Sequence, residues 1–100
     1  MATSEQQTTG AAESRAIITV LGSDRPGIVA AVAGALSERE ANILDISQTI
    51  LQGTFTMTML VELGSADFSE LKGALDALSE SLGVQITMQR EEVFRYMYRL

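Results

Sequence analysis

A short segment near the start of the chain carries residue types that bind small charged molecules. The segment reads Gly22-Ser23-Asp24-Arg25-Pro26-Gly27-Ile28. It follows an apolar run and precedes a helical pattern, so the N–H groups of Gly27 and Ile28 are predicted to lie unpaired in the first helical turn. Together with the positive end of the helix dipole, these groups favour a bound carboxylate. Gly27 has no Cβ, which allows a ligand to approach the backbone closely.

Two polar side chains extend this set. Asp24 can accept hydrogen bonds from an ammonium group, and Asn42, which opens the next predicted strand, can donate and accept at once. Such a set suits a small zwitterion, an amino acid. The same residues also have ordinary turn duties, because Asp24 can cap a turn and Pro26 and Gly27 can shape a helix start. The residue types by themselves leave both interpretations open.

Catalytic chemistry has few residues to work with in this sequence. The chain has no His and no Cys, which excludes thiol catalysis, histidine base catalysis, the usual zinc sites and disulfides. Arg25 with Asn42 suggests an acylphosphatase-like loop, but Pro26 removes one backbone donor from such a phosphate cradle. Asp24 and Asp45 alone supply too few oxygen ligands for a metal ion. We therefore predict no enzyme activity, no metal and no cofactor.

Composition and charge place the chain among small acidic domains. It has 100 residues, of which 46% are hydrophobic and 20% charged, the size and balance of one folded domain. The net charge of −6 argues against a general nucleic-acid binder, whose surface is basic. Residues 1–14 are small and polar, which predicts a flexible tail and not a signal peptide. Residues 15–100 are predicted to form a single domain, and the lack of a run of about 18 apolar residues predicts a cytoplasmic protein without a membrane span.

Apolar periodicity predicts the order β-α-β-β-α-β followed by a terminal helix. The first strand is apolar at nearly every position, which is typical of a strand buried on both faces. Pro26 suits the first position of the first helix, where its missing N–H costs nothing. Asp67 and Glu70 predict a capping box for the second helix, and Gly83 predicts its end. The predicted strands are 16–21, 42–51, 54–63 and 84–89, and the predicted helices are 26–40, 68–82 and 91–100.

Right-handed crossovers turn this order into a ferredoxin-like α+β sandwich. Its four-stranded antiparallel sheet has strand order 4-1-3-2, with two helices on one face and the terminal helix added. The second strand is then an edge with unpaired backbone groups, which favours pairing with another chain. This strand alternates in part, which predicts Leu44, Ile46 and Ile50 on one face, interrupted by Gln48, and a mixed set on the other. The mixed set is Ile43, Asp45, Ser47, Thr49 and Leu51.

Two motifs in this order resemble the ACT domain, a regulatory module that senses amino acids in many metabolic enzymes. The motifs are Asp24-Arg25-Pro26-Gly27-Ile28-Val29 and Ala41-Asn42-Ile43-Leu44-Asp45. The stretches 42–50 and 89–94 are similar to a stand-alone prokaryotic ACT family long labelled uncharacterised, and the resemblance spans residues 15–100. It implies a homodimer joined at the second strand, with effectors bound where the first loop of one subunit meets the second strand of the other. The ligand-binding residues that it implies are Gly22, Asp24, Arg25, Pro26, Gly27, Ile28, Asn42 and Ile43.

The residues and the resemblance together predict a non-catalytic regulatory protein. We expect a homodimer that binds a small molecule and signals to a partner protein. The residue types of the loop and Asn42 suit an amino acid as that molecule. The 100 residues hold no fused enzyme, so the regulated partner is expected to be a separate protein. The alternative is a structural dimerising adaptor, in which the loop only turns the chain and no metabolite binds.

Overall fold

A computed structural model describes residues 14–23 and 25–98 of the chain, with side chains as far as Tyr96. The predicted tail therefore lies outside the described residues except for Ser14, and so do Asp24 and the last two residues of the predicted terminal helix. The elements are β1 (Arg15–Ser23), α1 (Ile28–Glu38), β2 (Asn42–Leu51), β3 (Thr54–Glu62), α2 (Phe68–Leu82), β4 (Gln85–Arg90) and α3 (Glu91–Tyr98).

The four strands form one antiparallel sheet in the order β2-β3-β1-β4. This is the predicted order 4-1-3-2 written from the other edge, and it confirms the ferredoxin-like fold. β1 pairs with β3 on one side and with β4 on the other, which explains its nearly continuous apolar sequence. β2 pairs only with β3 within the described residues and is an edge strand.

The core lies between the sheet and the helices α1 and α2. Helical spacing puts Ile28, Val32 and Leu36 of α1 on one buried face, and Leu71 and Leu75 of α2 on another. The sheet contributes alternate residues of β1, β3 and β4, and no polar or charged residue among those described is buried. The strand residues of this core are Ala16, Ile18, Val20, Phe55, Met57, Met59, Val61, Ile86 and Met88.

The bulge in β2 contradicts the predicted alternation. Ile43 lies opposite Val61 and Asp45 lies opposite Leu60, so Leu44 is an extra residue in the strand. A bulge leaves two residues of one strand against one of the other, which shifts the face of everything before it. Ile43 therefore lies on the helix-covered side of the sheet with Ile46, and not on the open side with Asp45.

The start of α1 also differs from its prediction. The helix begins at Ile28, and Gly27 precedes it with a φ of 91°, in the left-handed region. Pro26 therefore lies in the turn before the helix and not at its first position, because a left-handed residue stands between them. Asp67 is confirmed as the N-cap of α2, since its carboxylate accepts a hydrogen bond from the Glu70 N–H at 3.0 Å.

Candidate functional site

The end of β1 packs closely against Val84, the residue that precedes β4. A Cβ added to Gly22 would lie 2.7 Å from Val84 Cγ1 and 3.2 Å from its Cα, so only glycine fits at this close approach. Gly22 therefore fixes the point from which the candidate ligand loop leaves the sheet. Ser23 is the last residue of β1, and the predicted ligand residue Asp24 lies outside the described residues.

The N-terminus of α1 carries no side-chain cap within the described part of the chain. The Gly27 carbonyl accepts the first helical hydrogen bond, from the Ala31 N–H at 2.9 Å. Gly27 is exposed and has no atom within 4 Å of where its Cβ would be. Ile28 is only 1% exposed and belongs to the core, so only its backbone N–H is suited to bind a ligand. The arrangement presents backbone donors and the positive helix end to the exterior.

Arg25 has a structural contact that its sequence position did not reveal. Its Nη1 donates a hydrogen bond to the Leu82 carbonyl at the C-terminal end of α2. A cation near a helix C-terminus complements the negative end of the dipole and satisfies a free carbonyl. The guanidinium has five N–H donors, so this contact leaves others for a ligand. The exposed Pro26 beside it shapes the turn that carries the chain from Arg25 into Gly27.

Asn42 and Ile43 lie at the start of β2, beside an open hollow. Asn42 is exposed and lies opposite Glu62, while Ile43 is half-buried against the core. The hollow has a volume of about 440 Å³ and lies between the C-terminal part of α1 and this strand start. Its lining is Ala33, Leu36, Ser37, Glu40, Ala41, Asn42 and Ile43.

Sequence reasoning missed five lining residues of this hollow, Ala33, Leu36, Ser37, Glu40 and Ala41. Ala33 and Ser37 are four residues apart on α1, so they share a helix face. Glu40 has a φ of 62°, which is uncommon for a residue with a side chain. The helical spacing was visible in the sequence, but the left-handed backbone of Glu40 was not.

The structure separates the two halves of the predicted site. Arg15 and Asn42 both lie opposite Glu62, whereas Ser23 and Leu51 both lie opposite Thr54. β1 and β2 therefore run in the same direction, and Asn42 is at the opposite end of the sheet from the Gly22–Ile28 loop. The nine residues of β1 put about 26 Å between these ends, at roughly 3.3 Å per residue. A single chain does not bring the two halves together.

The outer edge of β2 exposes apolar side chains. Ile46 is 39%, Ile50 is 57% and Leu51 is 70% exposed, and the bulged Leu44 is 41% exposed. These residues lie on a strand whose outer backbone groups have no ladder partner within the described residues. An unpaired edge with apolar side chains is a template for another strand.

Comparison with known proteins decides the family. The sequence-family model of the ACT domain matches residues 14–89. This chain belongs to the ACT domain family. A UPF0237 protein of Methanocaldococcus jannaschii is 49% identical over 89 residues, which cover 87% of this chain and 99% of the relative. The solved ACT domain protein of Streptococcus pneumoniae is 43% identical, with a TM-score of 0.71 over 80% of this chain and 92% of that chain.

Family membership confirms the resemblance read from the loop and from the start of β2. ACT domains are regulatory domains that bind small molecules. The regulatory subunit of aspartate kinase from Thermus thermophilus is another similar structure, 26% identical with a TM-score of 0.62 over 77% of this chain and 51% of that one. Within the described residues, no helix is long and apolar enough to cross a membrane, and no three acidic side chains gather as a metal site.

Proposed function

We propose that residues 15–100 form a single regulatory, non-catalytic ACT domain that works as a homodimer. Each of its two equivalent sites joins the Gly22–Ile28 loop of one subunit to Asn42 and Ile43 of the other. The ligand is a small zwitterion of the amino-acid class, and the liganded dimer signals to a separate protein. Two features of the single chain carry this proposal. Asn42 and the loop lie at opposite ends of the sheet, and β2 is an edge strand with which a second copy can pair.

Antiparallel pairing of two β2 strands would reunite the separated halves. A twofold axis perpendicular to the sheet reverses the direction of the partner strand, so the Asn42 end of one copy meets the Leu51 end of the other. Ser23 lies in the same row of the sheet as Leu51, because both are opposite Thr54. The partner's loop therefore lies at the end where Asn42 arrives. The hollow beside Asn42, open in one chain, would gain a second wall.

The chemistry of the two halves fits a zwitterion better than a simple anion. The uncapped start of α1 offers N–H donors to a carboxylate, and Asn42 offers a carbonyl oxygen to an ammonium group. In this proposal Asp24 supplies the carboxylate that faces the ammonium charge. The chain has a net charge of −6, which disfavours polyanionic ligands such as nucleotides.

A ligand held between two subunits has a direct means of signalling. It contacts both copies and binds the dimer more tightly than a single chain, so it shifts the population toward one arrangement of the dimer. A partner protein that recognises this arrangement then responds to the metabolite. The reciprocal effect follows from linkage, because dimer formation strengthens ligand binding by the same factor.

A thermal-shift screen against the twenty amino acids and common 2-oxo acids tests the proposal. A ligand at 100 times its dissociation constant stabilises the native state by about 2.7 kcal/mol, which raises the Tm of a domain of this size measurably. Asn42→Ala removes this shift and leaves the unliganded Tm near that of the wild type, because Asn42 is exposed. Gln85→Ala, at an exposed position that starts the other edge strand, is the matched control and keeps the shift. An unchanged shift in Asn42→Ala contradicts the assigned site.

A structural dimerising adaptor is the second candidate. The observations in its favour are the hydrogen bond of Arg25 to Leu82 and the packing of Gly22 on Val84, because both give loop residues a structural duty. An adaptor would form a stable dimer in sedimentation and show no thermal shift with any metabolite. Turnover of an acyl phosphate that disappears in Arg25→Ala would instead reveal an enzyme.

A further inference from the structure

The outer edge of β2 is regular over only part of its length. The bulge at Leu44 interrupts the ladder between Ile43 and Asp45, whereas residues 45–51 pair one-to-one with β3. Regular antiparallel pairing with another strand needs a regular edge, because a bulge kinks the strand and displaces its hydrogen-bonding groups. The stretch that can accept a second copy is therefore 45–51, and its midpoint is Gln48.

Symmetry then selects one register. Two identical strands that pair antiparallel about a twofold axis place one position opposite itself. All of residues 45–51 find a partner only if that position is Gln48. A centre at Ser47 places Leu51 opposite the partner's Ile43, beyond the bulge. A centre at Thr49 places Asp45 opposite the partner's Gly53, which lies in the turn after β2 where the ladder ends.

The side chains on the helix-covered side of β2 agree with this centre. Ile46, Gln48 and Ile50 follow one another there, and all three are exposed. With Gln48 at the centre, Ile46 lies opposite the partner's Ile50, and the two glutamine amides face each other. Each amide can donate to and accept from the other. A shift of the centre to Ser47 places Gln48 opposite isoleucine, which leaves its amide without a partner in an apolar contact.

We infer that two copies of this chain join their β2 strands antiparallel in one register, with Gln48 opposite the partner's Gln48. This inference rests on the proposed homodimer and makes Gln48 a positioning residue for the ligand site. Because of the bulge, Asn42 then lies two strand positions beyond the partner's Leu51. Leu51 and Ser23 share a row of the sheet, so Asn42 lies level with the point where the partner's Gly22–Ile28 loop leaves β1.

Disulfide cross-linking of the full chain tests the register, and the absence of native cysteine makes it clean. With Gln48 at the centre, Ser47 lies opposite the partner's Thr49. Directly opposite Cα atoms are about 4.5–5.5 Å apart, within the range of a disulfide, whereas diagonal neighbours at about 7–8 Å are too far. Ser47→Cys and Thr49→Cys are both exposed substitutions that leave Gln48 in place.

The expected result is a covalent dimer when the two single variants are co-expressed and oxidised, and little or none from either variant alone. Intact-mass measurement separates the mixed dimer from the two symmetric ones. Self-cross-linking of Ser47→Cys moves the centre to Ser47 and overturns the inference, as does self-cross-linking of Thr49→Cys. No cross-link in any sample that sedimentation shows to be dimeric overturns the register but keeps the dimer. A monomer in sedimentation overturns the proposed function together with the inference.

The role of Gln48 has its own readout. In a Gln48→Leu variant, residues 46, 48 and 50 on the helix-covered side of β2 are all apolar. Neighbouring registers then no longer leave a glutamine amide without a partner. Each cysteine variant then gains self-cross-linked product at the expense of the mixed dimer. An unchanged distribution of products would show that the bulge alone sets the register, and it would remove Gln48 from its positioning role.

Discussion

Helices α1 and α2 lie side by side on the same face of the sheet, yet their N-termini are built differently. Asp67 precedes α2 with an extended backbone, and its carboxylate accepts a hydrogen bond from the Glu70 N–H. Gly27 precedes α1 with a left-handed backbone and has no side chain to accept one. Among the described residues, a carboxylate caps the start of α2 and no side chain caps the start of α1.

The difference teaches which helix end is suited to a ligand. An N-terminus needs acceptors for its free N–H groups, and a carboxylate of the chain or of a ligand can supply them equally well. Asp67 fills this role at α2. In the proposed site, the carboxylate of a bound amino acid takes the same role at α1. In the first turn of α3, by contrast, Glu91 accepts hydrogen bonds from the side chains of Arg15 and Arg95.

The largest expected loss of stability comes from a substitution at Gly22, where the chain leaves β1 toward α1. Gly22→Ala places a Cβ against Val84, and overpacking of this kind costs about 2 kcal/mol of unfolding free energy. Urea denaturation of the variant measures this loss. Val84→Ala in the same chain restores part of it, since the clash includes the Val84 side chain. A double variant no more stable than the sum of both single losses would contradict the steric explanation.

A smaller loss is expected at the open helix start itself. Gly27→Ala forces a side-chain-bearing residue to keep a left-handed backbone, which costs about 1–2 kcal/mol. Space is not the cause, because nothing lies within 4 Å of the added Cβ. Gly34→Ala is the matched control within α1, and it should stabilise the helix by about 0.5–1 kcal/mol. Chemical denaturation of both variants separates backbone strain from crowding, and equal effects would refute strain at Gly27.

Removing the N-cap of α2 should lower stability without reducing the response to ligand. Asp67→Ala removes the cap of α2 and lowers the unfolding free energy by about 1 kcal/mol. The thermal shift given by an amino-acid ligand should remain as large as in the wild type, because the proposed site uses α1 and β2. A variant with normal stability and a diminished ligand shift would reverse the roles of the two helix starts.

The smallest effect belongs to the start of α3 and depends on pH. Glu91 accepts two hydrogen bonds from Arg15, at 2.9 and 2.8 Å, and more from Arg95, and these contacts lower the pKa of Glu91 to about 2. The carboxyl has a pKa of about 4.3 in the unfolded chain. Its contribution is therefore complete above that value and is lost as the pH falls toward 2.

Glu91→Gln should consequently lower the unfolding free energy by less than about 1 kcal/mol at pH 7, since the partner arginines are partly exposed. The difference from the wild type should shrink at pH 3. Glu92→Gln, at an exposed neighbouring position, is the control and should change little at either pH. A difference that grows toward low pH would contradict the ion-pair origin.

The sequence by itself determined the elements and most of their ends. Strand periodicity, helical spacing and the caps Asp67 and Gly83 act over a few residues, so they can be read without the tertiary structure. The apolar first strand even predicted its central place in the sheet, and short right-handed connections left a single strand order. The loop and Asn42 motifs predicted the family as well.

Only the tertiary structure decided how these parts are arranged as a site. The bulge at Leu44 depends on pairing with β3, and the bond from Arg25 to Leu82 joins residues 57 positions apart. The distance between Asn42 and the loop follows from the register in which β1 and β2 pair with β3, which no local pattern encodes. Contacts distant in sequence depend on where whole elements pack, because burial of apolar surface is non-directional and local signals do not specify it.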